Sequence, residues 1–257
     1  MIPKIIHYCW FGPNSMSSIE AACLESWRKF CPDFQLNLWD ESNFPIDFCE
    51  FTAEAYRLGK YAFVSDVARV FAVEKCGGIY LDTDMLLLKP LDSLLANSFF
   101  IGEHLPGEIG VGVFGGVKQH PFLVEVLNVY QSLSFEPDRL VLVPDLFDKL
   151  IQDFDTDKLK IYPSDYFYPL PFSKKGLDYS SFITSSSFAV HLWNHSWKDE
   201  FAYLKEHRFW KAFSLFVHHI VLYPNTYLSK SFLFRFATES KAMLKQYLYF
   251  KLKGNRD

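Results

Sequence analysis

Apolar and polar positions alternate along this chain in blocks that read in turn as strands and helices. Residues 2–11 form a nearly continuous apolar run ended by Gly12-Pro13, the pattern of a buried strand. Residues 17–30 predict a helix that stops before Cys31-Pro32, and 34–39 alternate like a second strand. Residues 62–76 place Val67, Val70, Phe71 and Glu74 at helical spacing and are stopped by Gly77-Gly78. A short strand over 79–84 follows, with Asp82 and Asp84 at its carboxyl end. Further strands are predicted at 98–102, 110–117, 159–162 and 188–193, and helices at 121–132 and 144–153. Strands alternating with helices predict an α/β sheet covered on both faces.

Composition narrows the class. A chain of 257 residues, 49% hydrophobic and 22% charged, has the balance of a globular protein with a sizeable core. A net charge of −4 argues against nucleic acid as a partner. No run of 18 apolar residues lacks a charge, so no transmembrane helix is expected, and the N-terminus lacks the long apolar core of a signal peptide. Five cysteines without a CxxC pair suit reduced thiols and a cytoplasmic setting. The charge is uneven. Residues 205–257 hold ten Lys/Arg against three Asp/Glu, a surplus of seven, whereas the first 204 hold 16 against 27. The sequence therefore predicts a body over 1–204 and a basic, aromatic-rich helical tail over 205–257.

Candidate chemistry concentrates in Gly77-Gly78-Ile79-Tyr80-Leu81-Asp82-Thr83-Asp84. Two carboxylates leaving a strand together repel unless a cation joins them, and a hard divalent ion such as Mn²⁺ or Mg²⁺ does so. Upstream, Ser65-Asp66-x-x-Arg69 puts Asp66 and Arg69 on one helix face. The alternative for that pair is an ordinary intrahelical ion pair. Trp10, at the end of the first apolar run, offers an indole for stacking on a base or for core packing.

Three ordered segments, Ile2-Pro3-Lys4-Ile5-Ile6-His7-Tyr8-Cys9-Trp10-Phe11-Gly12, Ser65-Asp66-x-x-Arg69 and Gly77 to Asp84, together resemble glycosyltransferase family 32. These are DXD-containing, sugar-nucleotide-dependent enzymes, many from bacterial capsule and surface polysaccharide clusters. The family includes yeast mannosyltransferases of the Och type and is similar to the catalytic region of the clostridial glucosylating toxins. Weaker agreement runs through Gly112–Gly116, Tyr162–Pro169 and His191–Trp197, so the likeness covers roughly 1–200.

The resemblance implies a GT-A-like fold, a mixed, mostly parallel sheet flanked by helices, and a retaining hexosyltransferase that draws on a nucleotide sugar, foremost a UDP-sugar. It implies that Trp10 stacks on the base, that Asp66 with Ser65 nearby holds hydroxyls, and that Arg69 contacts sugar or phosphate. Tyr80 would shape the pocket, and Asp82 and Asp84 would hold Mn²⁺ or Mg²⁺. The late segment would supply a further metal or diphosphate contact, with His191 or His195, and Ser196 with Trp197, as candidates. His7, inside the first strand, reads as structural. The implied acceptor is a glycan or a lipid-linked oligosaccharide in surface polysaccharide synthesis.

Two other classes share features of the sequence. A haloacid-dehalogenase-type phosphatase also ends a strand in D-x-D, but near its N-terminus, and it leaves Ser65-Asp66-x-x-Arg69 unused. A carbohydrate-binding module without turnover would not need the acidic, arginine and tryptophan positions together. In the tail, residues 230–253 place Phe232, Phe236, Met243, Tyr247 and Phe250 on one helical face, with Lys230, Lys241 and Lys245 opposite. Such a helix suits an anionic membrane surface, here the inner face of the plasma membrane, with a helical lid packed on the catalytic domain or an oligomer contact as the alternatives.

Overall fold

The computed structural model describes residues 1–136, 142–154, 159–194, 200–205, 207–222, 228 and 230–253. They divide into two compact units, Met1–Asn194 and His195–Asp257.

The first unit is built on a six-stranded sheet in the order β2-β1-β3-β6-β5-β7. Its strands are β1 (Ile5–Cys9), β2 (Gln35–Trp39), β3 (Gly78–Leu81), β5 (Phe99–Leu105), β6 (Glu108–Gly116) and β7 (Lys160–Tyr162). Three neighbouring pairs are parallel (β1·β2, β1·β3 and β5·β7), while β6 runs antiparallel to β3 and β5. A second ladder, β4 (Met85–Leu87) with β8 (Ala189–His191), is antiparallel and sets Met85 opposite His191. This is the mixed, mostly parallel sheet flanked by helices that the resemblance implied.

Helices cover both faces. On one side α2 (Glu50–Arg57), α3 (Tyr61–Cys76), α4 (Pro121–Ser132) and α5 (Val143–Asp153) bury Phe51, Val67, Val70, Phe122 and Phe147 against Tyr80 and Phe114 of the sheet. On the other, α1 (Ser18–Phe30) buries Cys23, Leu24 and Trp27 against Ile6, Ile79, Leu81 and Met85. A capping box starts α1: the Ser17 hydroxyl accepts from the Ile19 N–H and the Glu20 carboxylate accepts from the Ser17 N–H. Helix α3 ends at Gly77 and Gly78, with φ of 68° and 122°, which only glycine adopts without strain; a Cβ on Gly78 would lie 2.8 Å from the Ile5 carbonyl. The turn delivers the chain from α3 straight into β3.

Several expectations are corrected. The strand expected over 79–84 ends at Leu81, and Asp82, Thr83 and Asp84 form a turn closed by the Met85 N–H donating to the Asp82 carbonyl at 2.9 Å. The first strand is only Ile5–Cys9 because Ile2 and Phe11 are buried by packing outside the ladder. Helix α2 was not anticipated, since Glu50–Arg57 spans barely two turns and sits among mixed residues. The charge change at residue 204 does not mark the division between units. Phe201 and Leu204 of α6 (Glu200–Lys205) pack with Ala212 of α7 (Phe209–Leu222), so α6 belongs to the second unit. That unit is completed by α8 (Lys230–Lys253), whose Phe232, Phe236 and Met243 pack against the same cluster.

Trp27 ties α1 to the segment that carries Asp84. It is fully buried and its indole N–H donates to the Met85 carbonyl at 2.7 Å, while the Ser26 hydroxyl accepts from the Leu87 N–H. Trp27→Ala removes a large buried ring and leaves that carbonyl without its donor. It should destabilise the protein by about 3–5 kcal/mol. The check is urea unfolding, with a lowered midpoint and an unchanged slope.

Candidate active site

Four segments meet at the carboxyl end of β3. The β3–β4 turn contributes Asp82 and Asp84, α3 contributes Asp66 and Arg69, β6 contributes backbone at Val111 and Gly112, and β8 contributes His191 with Asn194 beyond it. Their separation in sequence is bridged by the ladders β3·β6 and β4·β8.

Arg69 lies at the centre and is buried, although its sequence setting is that of an amphipathic helix. One guanidinium nitrogen pairs with Asp66 Oδ1 at 2.9 Å and the other approaches Asp82 Oδ1 at 3.2 Å and donates to the Val111 carbonyl at 3.1 Å. Nε donates to the Ser65 carbonyl at 3.3 Å, and the plane sits 4.8 Å from the Tyr80 ring centre. Burial opposes its charge, yet the surrounding anions, Asp82 first, hold its pKa well above the ordinary arginine value. The Asp66–Arg69 pair is therefore not a solvated surface pair. With nearly all donors spent inside the protein, Arg69 acts as the fixed counter-charge of two carboxylates.

Asp82 is held from several sides. Its N–H donates to the Gly112 carbonyl at 2.7 Å, and the Tyr80 hydroxyl donates to its Oδ1 at 2.8 Å. Gly112 makes this approach sterically feasible, since a Cβ there would lie 2.9 Å from Asp82 Oδ2 and 3.1 Å from the Tyr168 hydroxyl. That hydroxyl in turn accepts from the Gly112 and Val113 N–H groups.

Asp84 Oδ1 accepts from His191 Nε2 at 2.9 Å and Oδ2 accepts from the Asn194 N–H at 2.8 Å. Burial disfavours its charge, but His191 and the Asn194 N–H outweigh burial and keep its pKa below the usual carboxylate value. His191 moves the other way: burial lowers its pKa, and the Asp84 charge more than compensates, so the imidazole is easier to protonate than in water. Its Nδ1 is buried without a hydrogen-bond partner among the described residues. One ligand atom each from Asp82, Asp84 and His191 lie within 4.8 Å of one another. Two carboxylates and one imidazole converging in this way suit a hard to borderline divalent cation.

Two family models match the chain. The glycosyltransferase sugar-binding region containing the DXD motif matches residues 17–101, and the alpha 1,4-glycosyltransferase conserved region matches 118–213. In both segments the chain is similar to glycosyltransferases of the DXD-containing kind. Among curated relatives, inositol phosphoceramide mannosyltransferase 3 of Schizosaccharomyces pombe is 31% identical over 145 residues, which are 52% of this chain and 38% of that one. The human alpha-1,4-N-acetylglucosaminyltransferase is 27% identical over 147 residues, 51% of this chain and 42% of that one. The chain thus spans about two fifths of the length of these relatives. Among solved structures, the PaToxG glycosyltransferase aligns with a TM-score of 0.47 at 18% identity, over 59% of this chain and 68% of that one. The galactosyltransferase LgtC, solved with donor and acceptor sugar analogues, aligns with a TM-score of 0.45 at 14% identity, over 82% and 96%.

The structure brings together Asp66, Arg69, Tyr80, Asp82, Asp84 and His191 of the residues singled out from sequence. Ser65 joins them through its carbonyl. Trp10 leaves β1 at the same edge of the sheet as the turn, half-buried, with its indole N–H donating to the Asn14 carbonyl at 2.6 Å. His195, Ser196 and Trp197 lie outside the described residues. His7 is structural, as its position suggested: it is fully buried, Nε2 bonds the Gly77 carbonyl and Nδ1 accepts from Trp39. Glu20, Tyr168 and Asn194 also belong to the site, and none of them stands out in the sequence. Tyr168 and Asn194 lie in segments of weaker family likeness. Glu20 had only the signal of a capping box, which reports a helix start and nothing of the site it faces.

The Asp66 carboxyl is pushed up to about 6, chiefly by burial, with Arg69 opposing and the charge of Asp82 adding to the rise. Because its folded pKa exceeds the unfolded value of 3.8, the native state holds this proton more tightly. Its contribution to stability is present below about pH 4 and is lost as pH rises through about 6. Urea unfolding between pH 4 and 7 should show the wild type losing stability relative to Asp66→Asn across that window. A flat difference would contradict the assignment.

Proposed function

We propose that the protein is a metal-dependent, retaining hexosyltransferase that moves a sugar from a nucleotide donor, foremost a UDP-sugar, to a glycan or lipid-linked acceptor in surface polysaccharide synthesis. The convergence of Asp82, Asp84 and His191, backed by the Arg69 counter-charge, carries this reading. These three residues would hold Mn²⁺ or Mg²⁺, which when bound neutralises charge on the departing diphosphate. Arg69 holds Asp82 in place, and Asp66 with Ser65 borders the space for the donor's hydroxyls. Trp10 supplies an aromatic surface for the base, and Tyr80 closes the pocket floor against Asp82. Among the described residues each carboxylate of the site already holds at least one hydrogen bond or ion pair, which favours front-face attack assisted by the departing phosphate. A phosphatase nucleophile would have to be Asp82, whose Oδ1 is already occupied by Tyr80 and Arg69. A lipid-linked acceptor draws support from the relatives, several of which are named for inositol phosphoceramide.

Incubation with a panel of nucleotide sugars and Mn²⁺ should release one nucleoside diphosphate. Asp84→Asn should reduce that release on the order of 10²-fold without loss of fold. Near-normal turnover by the variant, or full activity in excess EDTA, removes the metal reading.

The second unit supports attachment to an anionic membrane surface at the cytoplasmic face, by residues other than those the sequence suggested. Phe232, Phe236 and Met243 are spent on packing within the unit, and Tyr247 meets His207 and Phe209. The side chain of Phe250 lies outside those described. Trp210, Phe213 and Val217, one face of α7, are exposed instead, as are Phe234 and Leu248 of α8 beside Lys241 and Lys245. No helix among the described residues is long and apolar enough to cross a membrane. Sedimentation with anionic liposomes should carry the full chain at low salt, release it at high salt, and lose about half or more of the bound protein on Trp210→Ala/Phe213→Ala. Recovery of the wild type in the supernatant at low salt would rule this attachment out.

A further inference from the structure

Glu20 is a carboxylate in an unusual place. It is 1% exposed, it begins α1, and no cation among the described residues pairs with it. Both oxygens are nevertheless committed. Oε2 accepts from the Ser17 N–H at 2.6 Å, and Oε1 accepts from the Asn194 side-chain amide across 174 residues of chain. Asn194 is the residue whose N–H holds Asp84 Oδ2. Its N–H points that way because Trp193 takes a left-handed conformation, φ 55°, with its indole N–H anchored on the Leu170 carbonyl. The Leu192 N–H donates to the Asp84 carbonyl at 3.0 Å, so the end of β8 is pinned to the turn on one side and to Glu20 on the other.

A helix cap needs no charge sealed from water; an exposed Glu serves equally well. A buried one persists where its hydrogen bonds fix something else. We propose that Glu20 is a positioning residue of the metal site, which clamps Asn194 so that its N–H sets the orientation of the Asp84 carboxylate. This rests on the metal-site reading above. Glu20 touches neither ion nor donor. It occupies one oxygen of Asp84 through Asn194 and so leaves Oδ1 and His191 to face the ion. Partners of this outer kind typically change metal affinity by 10–100-fold.

The test is Mn²⁺ binding to the full-length chain, titrated with MnCl₂ alone and read as loss of the free-ion electron paramagnetic resonance signal, alongside thermal melting. Glu20→Ala should weaken Mn²⁺ binding about tenfold. Glu20→Gln keeps a carbonyl for the Asn194 amide and should recover most of the affinity. Asn194→Ala should match Glu20→Ala, and the double variant should be no worse than either, since both act in series. Leu24→Ala truncates a buried side chain on the same helix and controls for helix stability. It should lower the melting temperature and leave Mn²⁺ affinity unchanged. If Glu20→Ala does not fold, unchanged affinity in Asn194→Ala overturns the inference. Wild-type affinity in a folded Glu20→Ala overturns it alone, whereas a wild type that binds no Mn²⁺ removes the metal reading and this inference with it.

Discussion

Everything at the carboxyl end of β3 is arranged around a buried guanidinium. Arg69 carries its charge into the space between α3 and the sheet, and Asp66 and Asp82 answer it from two sides, with backbone carbonyls taking most of the remaining donors. A buried charge of either sign is tolerable only when paired and hydrogen-bonded, so each member makes the others necessary. Asp82 can sit beside a second carboxylate because Arg69 lies between them and the sheet backbone. Arg69 stays buried because both carboxylates are.

The second half of the site is built on opposite logic. Asp84 and His191 are a pair that a cation would compete for, and the unpartnered Nδ1 of His191 marks the imidazole as held by fewer bonds than Arg69. One carboxylate is thus locked to a permanent cation and the other to a titratable one. This asymmetry suits a site where Asp82 defines position and Asp84 exchanges partners when an ion arrives.

Much of this was legible along the chain because it is local. The i, i+3 spacing of Asp66 and Arg69 places them on one face of α3 in any helix, and Asp82 and Asp84 are two residues apart in any backbone. Glycines 77 and 78 announce the turn that joins these two groups, and so their proximity followed from short-range geometry. The helix face was read correctly, but its burial was not visible. An Asp–Arg pair at helical spacing looks the same whether it faces solvent or the backbone of β6. The tail misled in the complementary way: the stripe of Phe232, Phe236 and Met243 was real, and it packs within its own unit.

The sequence by itself determined the α/β class, the D-x-D turn, the Asp66–Arg69 pair and the uneven charge, since each depends on neighbours within about a dozen residues or on composition. Tertiary structure alone decided that His191 meets Asp84 across 107 residues, that Asn194 closes the second oxygen and that a capping glutamate reaches the same place. These contacts hang on the β4·β8 register and on the packing of α1 beneath it. Register is set by the joint fit of side chains on both strands, and a slip of one residue turns His191 to the other face of the ladder. No local pattern encodes that choice; the buried surface on either side makes it.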